Sequence, residues 1–117
     1  MFRFNHFNFN VLDLARSLAF YEKALALRPV REKKTDGYQL VFLGDGQSDF
    51  SLELTWLFGR TEAYDLGEQE FHLALTASDY EAAYARHRAM GCIAQEDNGR
   101  FYFIQDPDGY WIEILRG

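Results

Sequence analysis

Four stretches of the chain alternate between hydrophobic residues and polar or small residues with the two-residue period of a β-strand. They are residues 4–11, 50–56, 70–76 and 110–115. On the less apolar face, each stretch carries one side chain of a type that binds metals. In chain order these side chains are His6, Glu53, His72 and Glu113. Two neutral imidazoles and two carboxylates suit a divalent first-row metal ion, so the pattern predicts a metal site with these four ligands.

Two other stretches have the period of an amphipathic helix. The first covers residues 13–27, where Asp13 is a suitable N-cap and the pair Arg28-Pro29 ends the helix. The second begins at Ser78, which forms a capping box with Glu81, and is ended by Gly91 near residue 90. His87 lies in this second helix, and we expect it at the surface.

Shorter alternating stretches at residues 30–34, 38–43, 92–94 and 101–105 complete the predicted strands. The order is strand, helix, three strands, and then the same again, which indicates an internal repeat. The sequence thus predicts an α+β fold of two βαβββ modules in a single domain covering residues 1–117. Module 1 covers about 1–57, a linker covers 58–67, and module 2 covers about 68–117. We expect the bare faces of the two modules to form a curled mixed sheet around a metal cavity.

Composition narrows the class of protein. The net charge is −6 and no run of Lys or Arg occurs, which argues against a nucleic-acid-binding surface. The single cysteine, Cys92, cannot form an internal disulfide and indicates a reducing compartment such as the cytoplasm. No apolar stretch is long enough to span a membrane, and the N-terminus lacks the apolar core of a signal peptide. We therefore expect a cytoplasmic protein without nucleic-acid or membrane partners.

Several segments together resemble the glyoxalase I (lactoylglutathione lyase) family of the vicinal oxygen chelate superfamily. They are Asp13-Leu14-Ala15-Arg16-Ser17-Leu18-Ala19-Phe20-Tyr21, Leu52-Glu53-Leu54-Thr55, Tyr64-Asp65-Leu66-Gly67, Phe71-His72-Leu73-Ala74-Leu75 and Asp106-Pro107-Asp108-Gly109-Tyr110-Trp111-Ile112-Glu113. Each segment is a weak signal alone, but in this order and with the four metal-type residues in place they form a specific signature. The resemblance extends over nearly the whole chain.

This resemblance implies a fold, a cofactor and a reaction. The fold is a pair of βαβββ modules, commonly in a homodimer, with one divalent metal per site. Short bacterial members favour nickel or cobalt, and zinc is possible. The implied substrate is the hemithioacetal of a 2-oxoaldehyde such as methylglyoxal with glutathione or another thiol. It becomes a 2-hydroxyacyl thioester through an enediolate, which detoxifies methylglyoxal. Glu113 would be the main catalytic base, and Glu53 could serve on the opposite face.

Two positions and one loop depart from the pattern of glutathione-using relatives. Asn10 stands where those relatives carry an arginine for the glutamyl carboxylate, and Leu57 stands where they carry an asparagine. The loop before the last hairpin is short, so only Arg100 is left to contact the glycyl carboxylate. Asn10 and Arg100 are therefore the candidate substrate-binding residues, and the identity of the thiol stays open.

Two alternative functions fit the same fold. One is another metalloenzyme of the superfamily, such as a thiol transferase, an epimerase or a dioxygenase. Glu53 counts against that alternative, since those enzymes usually have three strong protein ligands or a glutamine on the fourth strand. The other is a non-enzymatic protein that binds a small molecule or confers resistance. Such proteins typically lose the metal ligands, and all four are present here.

Overall fold

The computed structural model describes residues 1–117 of the chain. These residues form two compact units, Met1–Tyr64 and Asp65–Gly117. Each unit contains one strand, one helix and three further strands, in that order, so the predicted α+β fold with a repeated βαβββ order is confirmed. The boundary between the units falls inside the segment 58–67 that the sequence indicates as a linker. That the two modules make one domain stays a prediction.

The first unit consists of β1 (His6–Val11), α1 (Leu14–Leu25), β2 (Arg28–Lys34), β3 (Tyr38–Gly44) and β4 (Ser51–Leu57). Its strands form one mixed sheet in the order β1-β4-β3-β2. β1 pairs in parallel with β4, whereas β3 pairs antiparallel with both β4 and β2. The first strand of the unit therefore lies beside the last, although α1, β2 and β3 separate the two in sequence.

The second unit repeats this topology. It consists of β5 (Leu73–Ala77), α2 (Tyr80–Met90), β6 (Ile93–Gln95), β7 (Phe101–Gln105) and β8 (Trp111–Arg116). Its sheet has the order β5-β8-β7-β6, with β5 parallel to β8 and the other neighbours antiparallel. The two sheets are separate, so the chain has one mixed sheet for each module.

Each sheet buries one face and leaves the other partly exposed. In β4, Leu52 and Leu54 are buried while Ser51, Glu53 and Thr55 are partly exposed. α1 contacts β2 and β4. Its buried positions are Leu14, Ser17, Tyr21 and Ala24. Because burying a leucine side chain contributes about 1.5–3 kcal/mol, the apolar face fixes which way every other residue of a strand points.

The helix ends differ in detail from the sequence prediction. α1 ends at Leu25, before Arg28-Pro29, because Ala26 adopts a left-handed conformation with φ of 55° and its N–H donates to Glu22 O. The N-cap of α2 is Asp79 and not Ser78. The Asp79 carboxylate accepts the hydrogen bond of Ala82 N, which satisfies a donor of the first turn. Gly91 ends α2 as predicted, with φ of 70°.

The surface prediction for His87 is wrong. His87 is 1% exposed, and its Nδ1 lies 2.8 Å from the Tyr102 hydroxyl on β7. Helical periodicity predicts which face of a helix is buried, but the hydrogen-bond partner of His87, the Tyr102 hydroxyl, lies on a strand later in the chain. The strand predicted over residues 70–76 begins later, at Leu73, so His72 lies just before β5, and Phe71 is 41% exposed and does not join the apolar face. No helix in the structure has the length and apolar character needed to cross a membrane.

Two matched substitutions test the left-handed helix ends. Ala26 and Gly91 both have positive φ, which costs about 1–2 kcal/mol for a residue with a side chain. Ala26 is exposed, so Ala26→Gly removes strain without opening a cavity and should raise the free energy of unfolding by about 0.5–1 kcal/mol. Gly91→Ala should lower it by about 1 kcal/mol, since an added Cβ meets nothing within 4 Å. Urea denaturation measures both, and a destabilised Ala26→Gly variant would contradict this account.

Candidate functional site

His6 and Glu53 are brought together by the parallel pairing of β1 with β4. In this register Asn8 lies opposite Glu53, so His6, two residues earlier, lies diagonally across on the same face. The distance from His6 Nε2 to Glu53 Oε1 is 4.0 Å, and the two side chains are 39% and 14% exposed. The first unit therefore holds an imidazole and a carboxylate side by side on its partly exposed face.

His72 and Glu113 form the corresponding pair of the second unit. Ala74 on β5 lies opposite Glu113 on β8, and His72 again comes two residues before that position. The distance from His72 Nε2 to Glu113 Oε1 is 3.2 Å, with side-chain exposures of 41% and 18%. The repeat detected in the sequence thus places a His–Glu pair at the same point of each sheet.

The geometry of the pairs fits ligands of a divalent ion. Imidazole nitrogens and carboxylate oxygens bind such ions at about 2.0–2.2 Å, which puts neighbouring ligand atoms about 3.0–3.5 Å apart. The second pair has this spacing, and the first is slightly wider. In the first pair, His6 Nδ1 lies 2.6 Å from Asn5 Oδ1. Because an amide oxygen only accepts, Nδ1 donates, and a neutral ring then turns the lone pair of Nε2 toward Glu53.

The four predicted ligands are divided between the two units. No group of three or more His, Cys, Asp or Glu side chains in the chain is placed to hold a metal ion. Each unit supplies two ligand-type side chains, so the four-ligand site stays a prediction.

A phenylalanine stands beside each pair, and sequence reasoning did not assign it to the site. Phe42 lies opposite Glu53, and Phe103 lies opposite Glu113 in the corresponding strand pairing. The rings of His6 and Phe42 meet edge to face with centroids 5.4 Å apart, and those of His72 and Phe103 with centroids 5.0 Å apart. Each imidazole is thus oriented by an aromatic neighbour. The signal that could have found them is their matching position in the third strand of each module.

The two carboxylates differ in what holds them. Asn8 Nδ2 donates to Glu53 Oε1 at 3.1 Å and to Thr55 Oγ1 at 2.6 Å. Ala74 occupies the matching position opposite Glu113 and has no side-chain donor. The Glu53 carboxylate is therefore fixed by an amide, whereas Glu113 Oε1 lies 3.2 Å from His72 Nε2 and accepts no hydrogen bond from a side-chain amide.

The two candidate substrate-binding residues lie in different units. Asn10 is half-buried on β1, opposite Thr55, and shares a face with His6. Arg100 is exposed in the turn before β7, where its backbone N donates to Asn98 Oδ1. The Arg100 guanidinium makes no hydrogen bond or ion pair with His72 or Glu113.

A group of titratable side chains with shifted pKa values lies around α2 in the second unit, away from the His–Glu pair. Burial, followed by a hydrogen bond to Asp97, raises the pKa of Tyr80 to about 12. The same hydrogen bond holds the pKa of Asp97 below its usual value. Burial raises the pKa of the Tyr102 hydroxyl and of the Cys92 thiol. Cys92 is thus kept in its thiol form and is not an activated nucleophile.

Comparison with known proteins agrees with this geometry. Residues 3–114 match the family model described as the Glyoxalase/Bleomycin resistance protein/Dioxygenase superfamily. The chain is 33% identical over 124 residues to the lactoylglutathione lyase of Salmonella typhimurium, covering 97% of this chain and 91% of that protein. It is 35% identical over 125 residues to the lactoylglutathione lyase of Neisseria meningitidis, covering 97% and 90%.

A solved structure of similar shape comes from Leishmania major, whose glyoxalase I is described as trypanothione-dependent. The two sequences are 36% identical, and the TM-score is 0.89. The match covers 99% of this chain and 87% of the Leishmania major chain. Two units of four-stranded mixed sheet, each with a His–Glu pair, together with the family match, define the class of protein. The chain belongs to the Glyoxalase/Bleomycin resistance protein/Dioxygenase superfamily. Within it, the chain is an enzyme of the glyoxalase I type.

Proposed function

We propose that the enzyme converts the hemithioacetal of a 2-oxoaldehyde, such as methylglyoxal, and a thiol to a 2-hydroxyacyl thioester. His6, Glu53, His72 and Glu113 would bind one divalent ion. The observation that carries the proposal is the pair of histidine and glutamate side chains repeated at the same sheet position, with Nε2–Oε1 distances of 4.0 and 3.2 Å. The lactoylglutathione lyases among its relatives support the reaction.

The reaction moves a proton between two adjacent carbons of the substrate. A divalent ion, when bound, stabilises the negative charge that develops on the two neighbouring oxygens of an enediolate. Glu113 would take the proton from the first carbon and return it to the second. The Asn8 amide holds the Glu53 carboxylate by a hydrogen bond, whereas no side-chain amide holds the Glu113 carboxylate. Glu113 is therefore better suited to move a proton. Glu53 could act in the same way on the opposite face of the substrate.

The residue types and the family resemblance support the choice of metal and compartment. Imidazole and carboxylate ligands suit nickel, cobalt and zinc, and the resemblance to short bacterial members of the glyoxalase I family favours nickel or cobalt. The cytoplasm is the expected compartment, since the only cysteine, Cys92, takes part in no disulfide.

Metal binding is tested by removing one imidazole. His72→Ala should abolish stoichiometric binding of nickel or cobalt, because the metal would lose a neutral nitrogen ligand. Elemental analysis of the purified protein measures the metal content, and circular dichroism checks that the fold is retained. Glu70→Gln is the matched control, since Glu70 is an exposed carboxylate near the same strand and should leave the metal content unchanged. Full metal content in His72→Ala would rule out this ligand assignment.

We also propose that the enzyme is a homodimer in which two copies can share a site. Each unit has two ligand-type side chains, so a site of four would need both kinds of unit, from one chain or from two. Exposed aromatic side chains close to His6 or His72 in the sequence favour a partner surface. They are Phe2, Phe4, Phe7 and Phe71. Covering such side chains is a common reason for association.

Mixing two inactive variants distinguishes the arrangements. His6→Ala and His72→Ala are each expected to be inactive alone. If sites are shared between copies, a heterodimer of the two variants has one site with both substitutions and one intact site, so activity should return on mixing after partial unfolding and refolding. Mixing His6→Ala with itself is the control. No recovered activity from a heterodimer confirmed by native mass spectrometry would assign the site to single chains, and a monomer in light scattering would reject the dimer.

A further question is which thiol forms the hemithioacetal substrate. Asn10 and Leu57 stand where glutathione-using relatives carry polar contacts, and the similar enzyme of Leishmania major is described as trypanothione-dependent. We propose that glutathione is bound weakly through the β1 side of the site. A hydrogen bond to a charged carboxylate contributes about 1.5–3 kcal/mol. Its absence should weaken binding by roughly ten- to a hundredfold.

An assay with methylglyoxal and a panel of thiols tests the proposed function directly. Hemithioacetals of glutathione, trypanothione and 2-mercaptoethanol would be compared in metal-loaded enzyme. Asn10→Arg should lower KM for the glutathione adduct about tenfold or more, and the effect should fall on KM rather than kcat because the glutamyl end is remote from the reacting carbons. Asn10→Gln is the uncharged control. No turnover of any hemithioacetal would refute the function, and a micromolar KM of the unsubstituted enzyme for the glutathione adduct would refute the weak-binding proposal.

A further inference from the structure

A single line of side chains crosses three strands of the first sheet. Glu53 on β4 lies opposite Phe42 on β3, and Phe42 lies opposite Arg31 on β2. Opposite residues of paired strands point to the same face, so Arg31 shares the partly exposed face that carries the His6–Glu53 pair. An arginine therefore ends the row that begins at the proposed metal ligand.

The ring of Phe42 links this arginine to the imidazole. The Arg31 guanidinium carbon lies 4.1 Å from the centroid of the Phe42 ring. The same ring meets His6 edge to face at 5.4 Å. Stacking on an aromatic ring uses the flat face of a guanidinium and leaves its N–H edge free for a carboxylate, which it can bind with two parallel hydrogen bonds. Arg31 is thus oriented before any ligand arrives.

The charge of Arg31 is not neutralised within the protein. Arg28, on the same strand, is paired with Glu22 at 3.7 Å. Arg31 forms no ion pair, although the chain as a whole carries a net charge of −6. Lys33 lies on the same face two residues further along β2. An unpaired arginine beside a second cation favours an anionic ligand.

A cleft adjoins these side chains. It has a volume of about 250 Å³ and is lined by Arg31, Glu32, Lys33, Leu40 and Phe42. Glu32 is the one acid in this lining, and its Oε1 accepts a hydrogen bond from Gln39 Nε2 at 3.2 Å. The Glu32 carboxylate weakens anion binding there without forming an ion pair with Arg31.

The second unit has no equivalent cation. In its corresponding row, Glu113 lies opposite Phe103, and Phe103 lies opposite Gln95. Gln95 therefore takes the place of Arg31. Since the pairs of the two units otherwise match, the arginine is a feature of the first unit alone and is not required by the fold of the repeat.

We propose that Arg31, stacked on Phe42, binds a carboxylate on the thiol part of the substrate. β2 is two strands away from β4, which is about 10 Å at the usual strand spacing. A carboxylate held there would belong to the arm of a peptide-like thiol, remote from the carbons that exchange the proton. This inference rests on the proposed function for the identity of the ligand. Arg31 supplies a cationic anchor for a carboxylate on β2, whereas Asn10 carries no positive charge on β1.

Binding of S-methylglutathione tests the inference without turnover. This compound carries two carboxylates and no reactive thiol, and its diethyl ester is the neutralised partner. Calorimetry on metal-free and metal-loaded protein should show that the unsubstituted protein prefers the acid to the ester. Arg31→Gln should weaken binding of the acid at least tenfold and leave binding of the ester unchanged. Arg31→Lys should recover only part of the loss, because an ammonium neither stacks flat nor binds in bidentate fashion.

Two control variants sharpen the result. Arg28→Gln removes a cation from the same strand that is already paired with Glu22, and it should bind the acid like the unsubstituted protein. Glu32→Gln removes the neighbouring carboxylate and should tighten binding of the acid. Equal binding of acid and ester by the unsubstituted protein, or equal loss of acid binding in Arg28→Gln and Arg31→Gln, would overturn the proposal.

The outcome is separable from that of the proposed function. If no hemithioacetal is turned over but Arg31→Gln selectively weakens binding of the acid, the proposed role of Arg31 is supported and the proposed reaction is refuted. If the glutathione adduct is turned over and Arg31→Gln changes neither its KM nor the binding of S-methylglutathione, the proposed reaction is supported and the proposed role of Arg31 is refuted.

Discussion

The structure depends on the parallel pairing of the first and last strands in each unit. This pairing sets His6 beside Glu53 and His72 beside Glu113, although each pair is separated in sequence by a helix and two strands. A slip of one residue in either pairing would send the glutamate to the buried face, where an unpaired carboxylate is strongly unfavourable. The apolar residues alternating with each glutamate, such as Leu52 and Leu54, therefore exclude a one-residue slip and keep the glutamates on the partly exposed face.

The parallel pairing occurs in both units, but the residue opposite the glutamate differs, so the two carboxylates have different hydrogen-bond partners. At the position opposite the glutamate, one unit has Asn8 and the other has Ala74. The Asn8 amide restrains Glu53, whereas Ala74 has no donor for Glu113, which would suit the role proposed for Glu113 as the base. A repeated backbone can thus place two equivalent His–Glu pairs and still give the two carboxylates different hydrogen-bond partners, because the neighbouring side chains differ.

Much of this could be predicted from the sequence, since alternation reports directly which face of a strand is buried. The order of elements, the repeat and the four metal-type residues followed from that pattern. The error at His87 has a different origin, because its partner Tyr102 lies on another element and leaves no periodic signal near residue 87. Strand register is likewise not written in any local pattern. The roles of Phe42 and Arg31 became visible only once the pairings of β2, β3 and β4 were known.

Protection of an edge strand is a simpler explanation for the position of Arg31. The contacts of its guanidinium go beyond what that explanation requires. Edge strands commonly carry charges that prevent pairing with other chains, and every residue of β2 is exposed. Charge of any kind at any position on that strand would serve this purpose, as Lys34 and Glu32 do. Edge protection does not require a guanidinium stacked 4.1 Å from the ring that orients a metal-type histidine. Because the ring contacts both groups, an anion bound by Arg31 would be held at a fixed distance from the His6–Glu53 pair, as positioning a substrate requires.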